Sequence, residues 1–210
     1  MGQQAGYTLV ELAISIAIIS VLVVSALFGV QRIVDNNNVN AASQQVVLAG
    51  SNIKKFAAML ADKTFVDNTN VAANLGLWPD NITTKVNGSV TKITNPFGGN
   101  YFTASNAVDV GAVPAGGGYY IVISNVPSRV CASLAGMFGA SAWQIVVNDE
   151  TGPVSMAAPA SAPAPAVSGG PTVTTNEVKL PGTDRINVAN LTAACGTPAP
   201  RKTVFVFFPF

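Results

Sequence analysis

The chain has 210 residues, a net charge of +1 and only 10% charged side chains. It has no histidine, which removes histidine triads, histidine metal sites and the commonest general base together. No basic block exists to neutralise phosphates, so the composition excludes a nucleic-acid partner and points away from an enzyme.

Residues 1–6 are short and polar. Behind them, Leu12 to Gln31 carries no charge over 20 positions. A helix needs roughly 20 apolar residues to cross a bilayer. Ser15, Ser20 and Ser25 are its only hydroxyls, and a helix lets each bond locally. One carboxylate, Glu11, stands at the entrance to the run. An acid at membrane depth costs about 2.5–3.5 kcal/mol. It therefore reads as a functional site whose partner must be named. A secretory signal would have a basic start, a shorter apolar core and a small-residue cleavage site. Met1 to Gly6 has no Lys or Arg, and the run is too long.

No proline occurs before Pro79, so Tyr7 to about Leu60 reads as one helix. Such a helix spans about 80 Å, far more than a bilayer, so its outer half must belong to a folded head. Gly29 and Asp35-Asn36-Asn37-Asn38 mark the exit from the apolar half and weaken the helix there. Beyond them Val39, Ala42, Val46, Ala49, Ile53, Phe56, Ala57 and Leu60 recur at spacings of three and four, one face to lie against a sheet.

Asp62 to Asp80 reads as polar and irregular, with Gly76-Leu77-Trp78-Pro79 packing the loop onto the head. Lys85 to Ile93 is a hairpin, with Val86 and Val90 flanking the turn dipeptide Asn87-Gly88. Asn95 to Gly99 is a turn-rich loop, followed by a short alternation at Tyr101 and Thr103. Gly116-Gly117-Gly118 leads into the strand Tyr119–Ile123. It is not a phosphate loop, because it lacks Gly-Lys-Ser/Thr and opens a strand. Pro127 to Leu134 is a short helix with proline in its first turn. Trp143–Val147 is a strand stopped by Asn148-Asp149. About 156–171 is an Ala/Pro-rich exposed loop. Asn187 to Cys195 is a short helix capped near Thr183 or Asp184. Val204 to Phe208 is a strand buried on both faces, inside the sheet.

The hexapeptide Gly6-Tyr7-Thr8-Leu9-Val10-Glu11 with its apolar run resembles the type IV pilins and related pseudopilins. In that family a prepilin peptidase cuts after a leader glycine, and the new first residue is N-methylated and followed four positions later by Glu. The resemblance places the cut between Gly6 and Tyr7, methylation on Tyr7, and the filament-assembly acid at Glu11. Tyr stands where Phe or Met is usual, and the leader has no basic residue. Orientation therefore rests on the resemblance, not on a positive-inside cue. The helix-kinking proline of many pilins is absent.

The later pattern resembles the type IVb pilins in particular. The shared features are a large head, a Cys in a helix after a Tyr-rich strand, and a second Cys in a late helix followed by Gly-Thr-Pro. An apolar final strand completes the likeness. The resemblance implies an α+β fold: a long N-terminal helix, apolar half protruding and outer half packed on an antiparallel sheet. It implies a leader over 1–6, an apolar helix half over 7–34 and a head over 35–210. Two cysteines cannot make a tetrahedral thiolate site. With the head outside the cytoplasm, Cys131 and Cys195 can pair; the other reading is two unrelated buried thiols.

The implied function is the major pilin of a type IVb pilus, serving adhesion, aggregation or conjugative contact. Its partners are identical subunits, the peptidase, an inner-membrane assembly platform and a host or recipient cell surface; no cofactor is involved. It sits in the inner membrane with its head in the periplasm, then in the extracellular pilus. The family's proposal pairs Glu11 with the Tyr7 amine of a neighbour. Other readings make Glu11 a protonated, hydrogen-bonded acid, or a recognition element for the peptidase or assembly machinery. Alternatives for the whole chain are a minor pilin or tip adhesin, a type II secretion pseudopilin, or a membrane-tethered binding or enzymatic domain.

Overall fold

The computed structural model describes residues 8–150, 177–196 and 199–210. Gly6, Tyr7 and the Ala/Pro-rich loop at 156–171 lie outside them. The chain divides into two units, one ending at Asn37 and one running Asn38–Phe210.

Helix α1 runs Leu9–Met59. Gly29 and Asp35–Asn38, expected to weaken it, are helical. In the second unit α1 buries Val39, Ala42, Val46, Ala49, Ile53 and Ala57 of the expected stripe, with Gly50 added and Phe56 half-buried. Leu60 does not belong to it; it follows the helix end and is exposed. Small residues bring the sheet close. The Tyr119 hydroxyl donates to the Gly50 carbonyl at 3.0 Å, and the Tyr101 hydroxyl to Gln45 Oε1 at 2.8 Å.

The second unit holds a five-stranded antiparallel sheet ordered β3-β4-β7-β5-β6. The strands are β3 Tyr101–Ser105, β4 Gly118–Pro127, β5 Gln144–Asp149, β6 Glu177–Lys179 and β7 Arg201–Pro209. A separate hairpin joins β1 Thr83–Val86 to β2 Ser89–Ile93. Its turn residues Asn87 and Gly88 have φ of 50° and 79°, as a two-residue hairpin turn of mirror-image type requires. The C-terminal strand is the middle of the sheet, paired with β4 on one side and β5 on the other. Val204, Val206 and Phe208 join the core shared with α1, while Phe205 and Phe207 pack with Phe102, Val122 and Val146 in a second cluster.

Four further expectations need correction. First, the 62–80 segment is ordered rather than irregular. It contains 3-10 turns at Thr64–Val66 and Asp80–Ile82 and helix α2, Thr69–Asn74, capped by the Asn68 side chain. It also covers strand edges. Thr69 Oγ1 accepts from the Thr103 amide at 2.9 Å, Asp67 Oδ1 from Ser105 at 2.8 Å, and Asn74 Oδ1 from Val90 at 2.8 Å. Edge amides blocked this way cannot template pairing with another chain. Within the segment Trp78 is buried and stacks on Tyr101, 4.8 Å between ring centroids, as the packing expectation required.

Second, β5 continues through Asn148 and Asp149 instead of stopping before them. They pair with Thr203 and Lys202 of β7, and the buried Lys202 ammonium bonds the Asp149 carboxylate. Third, Pro127 ends β4 and precedes helix α3, Ser128–Met137, rather than lying in its first turn. Fourth, helix α4, Val188–Gly196, is capped by Asn187, whose Oδ1 accepts from the Asn190 amide at 3.1 Å. Thr183 instead donates to its own turn. Strand β6 had no counterpart in the sequence reading.

Three buried tyrosines give the fold an alkaline limit. Burial raises the pKa of Tyr101 and Tyr119 well above the ordinary phenol range. Tyr120 is pushed up to about 12 by burial and by the nearby Glu177 charge. In the unfolded chain each ionises near pH 10. Their contribution is therefore complete below about pH 10 and is lost as pH rises through about 12 and beyond. Unfolding free energy should fall across this window by up to about 1.4 kcal/mol per pH unit for each tyrosine. Tyr119→Phe should reduce that slope by one proton in denaturant titrations between pH 10 and 12. An unchanged slope would remove Tyr119 from the account.

Candidate assembly site

The first turn of α1 is built by its own sequence. The Glu11 amide donates to Thr8 Oγ1 at 3.3 Å and to the Thr8 carbonyl at 3.1 Å, and the Leu12 amide to that carbonyl at 3.2 Å. Thr8 thus caps the helix, and Thr8-x-x-Glu11 has capping-box spacing. Glu11 lies in the first turn, where the partial positive charge of the helix end favours a carboxylate. This capping role is a signal the sequence reading missed, although Thr, two residues and Glu spell it.

From Leu9 to Val34 every side chain is exposed. α1 is long and apolar enough to cross a membrane by length and composition. Its hydroxyls make no demand on surrounding solvent. Ser15 donates to the Glu11 carbonyl at 2.8 Å, Ser20 to Ala17 at 2.8 Å, and Ser25 to Val21 at 3.0 Å and Leu22 at 2.9 Å. In hydrocarbon each polar group needs such an internal partner.

The structure joins Cys131 of α3 to Cys195 of α4 in a disulfide, with Cα atoms 5.7 Å apart. The second reading, two separate thiols, is thereby excluded. Glu11 and the disulfide lie in different units, so the sequence-predicted residues form two sites rather than one. A polar chain missed by sequence reading lies on the sheet: the Tyr120 hydroxyl donates to Gln144 Oε1 at 3.1 Å, and Gln144 Nε2 to Glu177 Oε1 at 2.5 Å. Lys179 Nζ donates to the carbonyls of Gly139 and Ala142, holding the turn after α3. These groups are spent on holding backbone and on one another.

A capped apolar helix with one acid at its tip, and a disulfide-bridged antiparallel head, define a pilin-class structural subunit. Residues 1–27 match the family model described as the prokaryotic N-terminal methylation motif, and residues 36–206 match the one described as PilS N terminal. The chain belongs to the type IV pilin family. It is 30% identical over 148 residues to the major structural subunit of bundle-forming pilus of Escherichia coli O127:H6, covering 69% of this chain and 71% of that one. In fold it is similar to TcpA, a type IV pilin from Vibrio cholerae El Tor biotype. The TM-score is 0.53 at 16% identity, over 82% of this chain and 99% of the other. It is also similar to a type IVb pilin from Salmonella typhi, with TM-score 0.51 at 15% identity over 79% and 97%. Proteins of this family are structural and not enzymes.

Proposed function

We propose that this chain is the major subunit of a type IVb pilus. A prepilin peptidase cuts after Gly6, and Tyr7 becomes the N-methylated first residue. Residues 7–34 hold the subunit in the inner membrane with the head, 35–210, in the periplasm. An inner-membrane assembly platform then passes it into a helical filament of identical copies. The fibre serves surface contact: adhesion, aggregation or conjugative contact with a host or recipient cell.

One observation carries this reading. Twenty-six consecutive exposed side chains, 9–34, include a single acid, in the first helical turn, and a single base, Arg32, near the far end. Surface that apolar must be covered by lipid or by copies of itself. Among copies, Glu11 leaves water and needs a cation, and the Tyr7 amine freed by cleavage supplies one from a neighbour. In a low-dielectric core such a pair sets register more than it adds stability, because desolvation offsets the Coulomb gain. The relative that is a major structural subunit supports the major over the minor assignment.

Sheared filaments should contain this chain as the dominant protein, starting at Tyr7 and one methyl group heavier by intact mass. Glu11→Gln should leave cleavage intact. Breaking a buried pair costs about 3–5 kcal/mol, so incorporation beside wild-type subunits should fall by about a hundredfold or more. Normal filaments built of that variant would sink the pairing. A filament protein that still begins at Met1 would sink the whole assignment.

A further inference from the structure

The disulfide sits at a particular place in the topology. β4 ends at Pro127, and β7 starts at Arg201 directly opposite it in the register. The Ser128 amide donates to the Pro200 carbonyl at 3.2 Å, closing that end of the pair. Along the chain the two strands are joined by residues 128–200, 73 in number. Through the bridge they are joined by residues 128–131 and 195–200, ten in number. The bridge thus turns the central, most distant strand pairing of the sheet into something close to a hairpin. A second observation concerns access. In the folded head Cys131 is fully buried and Cys195 is 8% exposed. Thiol–disulfide exchange needs an incoming sulfur to reach the thiol or its mixed disulfide.

We propose that Cys131–Cys195 is a folding-order device: oxidation precedes insertion of β7, and the bridge then guides β7 between β4 and β5. The step is a dithiol oxidation. One cysteine thiolate attacks the disulfide of an oxidant molecule to give a mixed disulfide. The second thiolate displaces it. Two protons and two electrons leave the chain, and the oxidant departs as a dithiol. A thiol–disulfide oxidant must therefore act on the subunit while its final strand is still free. β4 and β5 are joined only through β7, so the sheet stays open until that strand is in place.

Loop-closure probability falls roughly as the 3/2 power of length, so a sevenfold shorter connection favours β4–β7 closure by about 20-fold. The test uses the full chain in detergent micelles. Reduced, denatured protein is refolded in a glutathione redox buffer. At each time it is alkylated with iodoacetamide and pulsed with deuterium, and the Val204–Phe208 amides are read by mass spectrometry. Alkylatable thiols should disappear before those amides are protected. Separately, denatured protein with its bridge intact should refold about 20-fold faster than reduced protein kept in reductant. Protection of β7 while both thiols still alkylate, or equal refolding rates, would overturn the proposal.

Discussion

Phe207→Ala is expected to remove about 4 kcal/mol of stability, within the range for deleting a buried aromatic ring. Phe207 has no exposed surface and lies on the central strand. Its ring contacts Tyr120, 4.8 Å between centroids, from the pairing position on β4. The neighbouring strand is shaped for it. A Cβ placed on Gly118 would lie 2.4 Å from Phe207 Cζ and 2.6 Å from the Phe208 carbonyl oxygen. Glycine at that point is what lets the ring lie across β4. Removing the ring leaves a cavity on the face of a sheet whose strands are fixed by hydrogen bonds on both sides of β7, so little collapse can fill it. The measurement is the denaturant midpoint of the full chain in detergent. Val188→Ala, at a 70% exposed position, serves as the control and should stay within about 0.5 kcal/mol. A Phe207→Ala loss below about 1 kcal/mol would mean that the second cluster is not a true core.

Replacing both cysteines, Cys131→Ala with Cys195→Ala, should cost about 4 kcal/mol at equilibrium. The bridge closes a loop with a sequence separation of 64, and chain-entropy arguments assign such a loop roughly that value. Domain stabilities lie at about 5–15 kcal/mol, so the variant stands near its threshold. Its steady-state level and its filaments should fall together, while N-terminal cleavage continues. A variant that melts with the wild type would show that α3 and α4 hold each other without the bridge. This equilibrium loss is separate from the order of events during folding. A bridge that formed last could cost as much on removal.

Several elements were legible because their signals are local. The Asn87-Gly88 turn forms where its backbone preferences dictate. The stripe from Val39 to Ala57 buries the residues its spacing selects. The run Val204–Phe208 has no polar alternation, so it had to be covered on both faces. At the tip of α1, Glu11 was singled out by the absence of charge behind it. Its cap, Thr8, was legible too but was read only as part of a resemblance.

Other features left no local trace. Thr69 and Asp67 spend their side chains on amides of β3 more than 30 residues away, so their segment reads as polar loop. Asn148-Asp149 carries stop-signal residues, yet the strand continues because Lys202 lies opposite. Asn187 caps α4 where Thr183 and Asp184 were equally good chemistry, and backbone direction made the choice. β6 has three residues, too few for any period to appear.

By itself the sequence determined an apolar rod with one acid at its mouth, a head on an amphipathic helix, and a final strand that had to be interior. Composition and spacing act at short range, and these are short-range facts. Only the tertiary structure decided which strands flank β7, what seals the sheet edges and how the cysteines shorten the path between β4 and β7. Those outcomes depend on hydrogen bonds and packing between residues far apart in the chain, which no window of sequence contains.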